Sequence, residues 1–210
     1  MFSKIEEAIN DIKRGRFVII ADDENRENEG DLTIAAENVT PSKINFMLTH
    51  ARGILCVPVI SERLDELGLP LMVNTDDRSK CAFTIPVDYK NGTTTGTSAF
   101  DRAATIRAIA NKKYKAKDFS KPGHIFPLRY REGGIFEREG HTEASIDLAK
   151  LAGMYPAAVI CEILNEDGTM AKLPELSDFS KKHSIKMITI KDLKEYIQLN
   201  QNIVKEEIKI

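Results

Sequence analysis

Ten consecutive residues, Asp22-Asp23-Glu24-Asn25-Arg26-Glu27-Asn28-Glu29-Gly30-Asp31, carry six carboxylates and a single arginine. They lie between Phe17-Val18-Ile19-Ile20-Ala21 and Leu32-Thr33-Ile34-Ala35-Ala36, short β-branched runs that read as buried strands. The core therefore pins both ends of the acidic segment, and its charges cannot drift apart. Six negative charges held this close are costly unless something positive sits among them. Carboxylate oxygens and waters are what a hard divalent cation such as Mg²⁺ prefers, with only one or two protein carboxylates and the rest from substrate or solvent.

The chain has 210 residues, the size of one large domain or two small ones. No internal repeat or linker divides it, so a single domain over residues 1–210 is expected. The net charge of −2 gives no basic excess for nucleic acid, and the acidity is local. No apolar stretch approaches the roughly 18 residues of a membrane span, and the N-terminus lacks the apolar core of a signal peptide. Cys56, Cys81 and Cys161 make an odd set without a CxxC pair. That favours reduced thiols and a cytoplasmic protein over a disulfide framework or a structural zinc site.

The apolar spacing predicts a helix over Ser3–Arg14, capped by Ser3 with Glu6 and stopped by Gly15. Pro41 opens a helix to about His50. Gly53–Ile60 is a strand whose Pro58 suggests a sheet edge or a strand end. Ser61–Leu67 is a short helix, and residues 70–98 are irregular, with Ala82–Val87 as a strand candidate. Ser98 and Asp101 cap a helix through Ala110, and Lys112–Lys121 reads as a solvated basic linker. Thr142–Ala152 is a helix, Ala157–Leu164 a buried strand and Asn165–Gly168 a hairpin turn. A helix near 175–183, a strand over 185–190 and a last helix from Lys191 complete the chain. Strands and helices alternate irregularly, which points to an α/β domain with a mixed sheet.

Glu162 stands inside a continuous apolar run, with Ile160 and Leu164 on its own strand face. A carboxylate so placed is expected to hold its proton more firmly, which suits general acid/base work. His124 and His141, two of four histidines, fall in glycine-bearing loops. His141 directly precedes a helix, beside Arg138, the amide of Gly140 and the hydroxyl of Thr142. Free N–H groups, a positive dipole end and a guanidinium make a phosphate grip, and the imidazole can ligate a cation. Thr93–Ser98 is a second, weaker anion cradle, and Cys56 reads as a core thiol. Together these residues suggest Mg²⁺-assisted acid/base chemistry on a small phosphorylated substrate. No GxSxG, Walker A or GxGxxG pattern is present.

Five segments resemble the 3,4-dihydroxy-2-butanone-4-phosphate synthase family of riboflavin biosynthesis. They are Asp23–Asp31, Thr95–Arg102, Pro122–Leu128, Gly140–Leu148 and Cys161–Met170, in order over roughly residues 3–200. Lys121 is a small departure, standing where many relatives have arginine. The resemblance implies a three-layer α/β domain and a single-function form without a fused GTP cyclohydrolase II domain. It further implies a lyase that takes D-ribulose 5-phosphate to L-3,4-dihydroxy-2-butanone 4-phosphate and formate, through a Mg²⁺-stabilised enediolate, dehydration, skeletal migration and loss of C4. Two Mg²⁺ ions per site are implied, with Mn²⁺ as an alternative, and a homodimer with shared sites. By resemblance Glu27 and His141 ligate the metal, and His124 and Glu162 are catalytic. Arg26, Glu27, Asp31, Arg138, Glu139, Gly140, His141, Thr142 and Glu162 meet the substrate. The competing readings are a Mg²⁺-dependent sugar-phosphate isomerase or phosphatase, and a non-enzymatic YrdC-like binding module.

Overall fold

Side-chain alternation along the strands decides how the layers stack. In the computed structural model, which describes residues 2–73 and 81–207 with side chains through residue 200, β1 (Val18–Ala21) sends Ile19 and Ala21 into one apolar cluster and Val18 and Ile20 into another. The first cluster packs β1 against α2 (Pro41–Phe46), α3 (Ser61–Glu66), α4 (Ala99–Ile109) and α6 (Leu173–His183). The second packs it against α1 (Ile5–Lys13), α5 (His141–Leu151) and α7 (Ile190–Glu207). A sheet apolar on both faces and covered by helices on both is the three-layer arrangement that the resemblance implied.

The other strands are β2 (Gly30–Ala35), β3 (Cys56–Val59), β4 (Val87–Tyr89), β5 (Phe119–Arg129), β6 (Ala158–Glu162) and β7 (Lys186–Thr189). They form one mixed sheet in the order β4-β5-β3-β6-β2-β1-β7. The β1–β7 and β3–β5 pairs are parallel and the rest antiparallel.

Several local expectations change. Gly30 and Asp31 belong to β2, where they pair with Ala21 and Ile20, so the acidic loop is shorter than its composition suggests. Pro58 lies in an interior strand, not at an edge. The β3–β6 contacts at Cys56–Ile160 and Val59–Ala157 bracket it, because the missing N–H interrupts the antiparallel ladder there. Helix α1 is capped one residue later than expected, with the Lys4 N–H donating to Glu7 Oε2 at 3.4 Å. His124 and Pro122–Gly123 lie within β5 rather than in a loop, and β5 also takes up the end of the basic stretch. The Ser98 cap forms as expected, its Oγ accepting the Asp101 N–H at 3.1 Å. Residues 74–80 of the irregular 70–98 stretch lie outside the described residues.

One buried cation ties the helix layer together without touching the functional region. Arg63 is 1% exposed; its guanidinium donates to the carbonyls of Ile109 (2.8 Å), Asn111 (2.7 Å) and Tyr114 (3.0 Å) and to Glu66 (2.9 Å). It thereby satisfies the end of α4 and the turn after it. Arg63→Met strands those carbonyls, and each buried group left unpaired costs about 1–3 kcal/mol. Urea unfolding is expected to show a loss of about 3 kcal/mol or more, and a change below about 0.5 kcal/mol would remove Arg63 from this role.

Candidate active site

The β2–β6 register sets Asp31 directly opposite Glu162. Leu32 and Ile34, like Val159 and Cys161, enter the larger core, so Asp31, Glu162 and Ile160 share the opposite face, the one covered by α5. There the start of α5 and the acidic loop close a pocket of about 230 Å³. Arg26, Glu27, Asp31, Arg138, His141, Thr142 and Glu162 all line it, drawn from three separate stretches of chain. Cys56, Phe83, Leu128 and Ile160 supply its apolar wall.

Asp22 organises the loop. Its Oδ1 accepts the Glu29 N–H at 2.8 Å, and its Oδ2 accepts the Glu27 N–H at 3.1 Å and Arg26 Nη1 at 2.7 Å. Arg26 Nη1 also lies 2.7 Å from Glu27 Oε2, so a single guanidinium nitrogen bridges two of the carboxylates. Sequence reasoning left Asp22 without a definite task; its place at the end of a buried strand was the available signal.

His141 is the first residue of α5 and is 7% exposed. Its Nδ1 lies 3.9 Å from Glu27 Oε2, and its buried Nε2 has no hydrogen-bond partner. Burial depresses its pKa, against the opposing pull of Asp22, so the ring is held neutral, the form that binds a metal. Asp22, Glu27 and His141 each offer a ligand atom within 4.8 Å of one another. Two carboxylates, a neutral imidazole and an orphaned buried nitrogen fit a divalent cation.

Glu162 is held from the other side. The Ile54 N–H donates to its Oε2 at 2.8 Å. A Cβ at residue 53 would stand 2.5 Å from both that oxygen and the Glu162 carbonyl, so only glycine lets the chain approach this closely. The strongest carboxyl perturbation falls on Asp31: burial drives its pKa well above the ordinary value, and the charge of Glu162 adds to this. Its Oδ1 is buried and unpartnered.

Gly140 has the same function at the helix start. A Cβ there would meet Arg138 Nη1 at 1.9 Å, so glycine allows the guanidinium to lie across the N-terminus of α5. Arg138 Nη1 donates to Glu143 Oε2 at 2.8 Å, and both side chains are buried. Burial pulls the Arg138 pKa down, but the charge and hydrogen bond of Glu143 outweigh it and the net shift is upward. Glu139 turns away from the pocket to Lys194 Nζ at 2.7 Å.

His124 is not among the residues lining the pocket. Phe126 registers with Cys56, and Cys56 with Ile160. His124, two residues back on β5, and Glu162, two residues on along β6, therefore lie toward the same end of one sheet face. One strand separates them, roughly 10 Å by strand spacing. His124 Nδ1 is 2.6 Å from Asp88 Oδ2, and its N–H donates to Asp88 Oδ1 at 2.9 Å. Asp88 went unnoticed in the sequence because a strand pairing, not a spacing, brings it to His124.

The family model described as 3,4-dihydroxy-2-butanone 4-phosphate synthase matches residues 6–196. The chain belongs to this family. A synthase of that name from Agrobacterium fabrum is 53% identical over 197 residues, covering 93% of this chain and 92% of its own length. The riboflavin biosynthesis protein RibBA of Endomicrobium trichonymphae is 52% identical over the whole chain, which spans about half of that longer protein (52%). Among solved structures, a 3,4-dihydroxy-2-butanone 4-phosphate synthase in complex with two magnesium ions matches at TM-score 0.90 and 39% identity, over 95% of this chain and 99% of that one. The Candida albicans synthase matches at TM-score 0.87 and 49% identity, over 94% and 98%. The site of this synthase-family chain sits on a mixed sheet between helical layers.

Because the Asp31 pKa is raised on folding, its contribution to stability is full below the unfolded value and is lost as pH rises through the folded one. Burying Asp31 therefore costs stability at pH values above its unfolded pKa. In EDTA, Asp31→Asn is expected to raise the melting temperature by roughly 2–4 °C at pH 8, equivalent to about 1 kcal/mol, and by less at pH 4. A melting temperature that falls at pH 8, or a gain independent of pH, would contradict this account.

Proposed function

We propose that this chain converts D-ribulose 5-phosphate to L-3,4-dihydroxy-2-butanone 4-phosphate and formate, as a Mg²⁺-dependent lyase of riboflavin biosynthesis. The observation that carries the reading is the convergence of Asp22, Glu27 and the buried His141 ring beside the facing carboxyls of Asp31 and Glu162. Glu27 and His141, with Asp22 beside them, would hold the metal. When bound, Mg²⁺, two ions per site or Mn²⁺ in its stead, supplies Lewis acidity toward a ketone and its neighbouring hydroxyl.

The chain's own groups serve the rest. Arg138, steadied by Glu143, and the free N–H groups at the start of α5 take the phosphate, with Thr142 beside them. Asp31, whose proton affinity is raised by burial, donates a hydrogen bond to a sugar oxygen, and Arg26 contacts the sugar. Glu162 faces the pocket and is steadied by the Ile54 N–H. It carries protons together with His124, whose ring is oriented by Asp88. The apolar wall of Cys56, Leu128 and Ile160 limits water around the reacting carbons.

The position of His124 outside the pocket lining of its own chain supports a homodimer whose sites take residues from both subunits. Among the described residues no helix is long and apolar enough to cross a membrane, and Cys56, Cys81 and Cys161 are free thiols, in keeping with a cytoplasmic enzyme.

Formate release is the decisive readout. Metal-loaded protein given ribulose 5-phosphate is expected to release formate, to stop in EDTA and to recover with Mg²⁺. Turnover to an isomeric sugar phosphate or to inorganic phosphate without formate would instead favour the isomerase or phosphatase reading. Glu162→Gln and His124→Ala are each expected to lower kcat by about 10²-fold or more. Mixing the two inactive variants is expected to restore part of the activity if subunits share sites. Full activity in either single variant would remove that residue from the mechanism.

A further inference from the structure

Lys172 is a second cation at the acidic loop, and the resemblance assigns it no role. Its Nζ donates to the Glu27 carbonyl oxygen at 3.0 Å and lies 3.7 Å from Glu29 Oε1. The backbone at Lys172 is fixed on both sides. The Ala171 N–H donates to the Ile163 carbonyl at 3.0 Å, and the Lys172 carbonyl accepts the Leu176 N–H at 2.8 Å. The Lys172 N–H donates to Glu175 Oε2 at 3.1 Å. One turn on, Leu176 sits over Gly30, its δ carbons 2.7 and 2.8 Å from where a Cβ would stand. The start of α6 therefore grips the loop at Glu27 and β2 at Gly30, and the Asn165–Gly168 turn, closed by the Leu164–Met170 bridge, joins it to the strand that carries Glu162.

Glu27 is thus held by its main chain on both sides, with its N–H on Asp22 at 3.1 Å and its C=O on Lys172 at 3.0 Å. Its side chain projects from this clamp toward His141. We propose that Lys172 is a positioning residue for the cation site: by holding the Glu27 carbonyl it fixes the direction in which the Glu27 carboxylate points. This rests on the reading that Glu27 and His141 bind a divalent cation. Lys172 itself touches neither metal nor substrate in this role.

The sign of one measurement separates positioning from bulk electrostatics. A positive charge near the site repels a cation, so removing it for charge reasons alone would tighten metal binding. Removing a group that orients a ligand typically weakens binding by about 10–100-fold. Mn²⁺ titration without substrate, followed by electron paramagnetic resonance, is expected to show about tenfold weaker binding in Lys172→Met and near wild-type binding in Lys172→Arg. The melting temperature in EDTA reports whether each variant is folded. Should Lys172→Met fail to fold, Lys172→Gln is judged by the same criteria. Unchanged or tighter Mn²⁺ binding in the folded variant overturns the positioning role alone. Wild-type protein that binds no Mn²⁺ overturns the cation-site reading and this inference with it.

Discussion

Asp31 and Glu162 face one another across adjacent antiparallel strands, and the rest of the site follows from holding those two carboxyls in place. Like charges directly opposite in a sheet destabilise it, and a buried carboxylate costs several kcal/mol unless it is paired or bonded. Burial and the facing Glu162 raise the proton affinity of Asp31, and Glu162 is steadied by the Ile54 N–H. The acidic loop adds Glu27 and Glu29 from the same side, both raising the Asp31 pKa further. So much negative charge at one end of a sheet is tolerable only with positive groups at its margins. Arg26 and Lys172 are two such groups at the loop.

The core makes this expenditure feasible. Two separate apolar clusters bind helices to both sides of the sheet. The site occupies the strip of sheet at the N-terminal end of α5, where His141 begins the helix and no helical turn covers the strands. The buried, unpartnered nitrogen of that helix's first residue, at the positive end of the helix dipole, suits the strip to a charged ligand.

Much of this was legible in the residues. β-branched runs 17–21 and 32–36 revealed the two strands that pin the acidic loop, and strand alternation alone set Glu162 on the face away from Cys161. The helix start at His141 was signalled by the Gly140 and Thr142 around it. Other features were not readable, for physical reasons. Asp31 looked like a loop residue because its own chemistry is polar; only pairing with Ile20 and Glu162 makes it a strand residue with a buried carboxyl. Pro58 suggested a sheet edge or a strand end because local rules cannot anticipate a ladder that skips two residues, Val57 and Pro58. Asp88 and Lys172 gave no local signal, since their partners lie 36 and 145 residues away along the chain.

The sequence by itself determined which groups this chain could bring to a reaction: a carboxylate-rich loop, a helix start with arginine and histidine, and a glutamate inside an apolar strand. Those are matters of residue type and short-range period, set by backbone geometry and side-chain chemistry. The tertiary structure decided which of them meet. Strand register placed Asp31 against Glu162, strand order left one strand between His124 and Glu162, and α6 closed on the Glu27 carbonyl through Lys172. Register and layer packing depend on contacts between residues distant in the chain, so no reading along the chain could supply them.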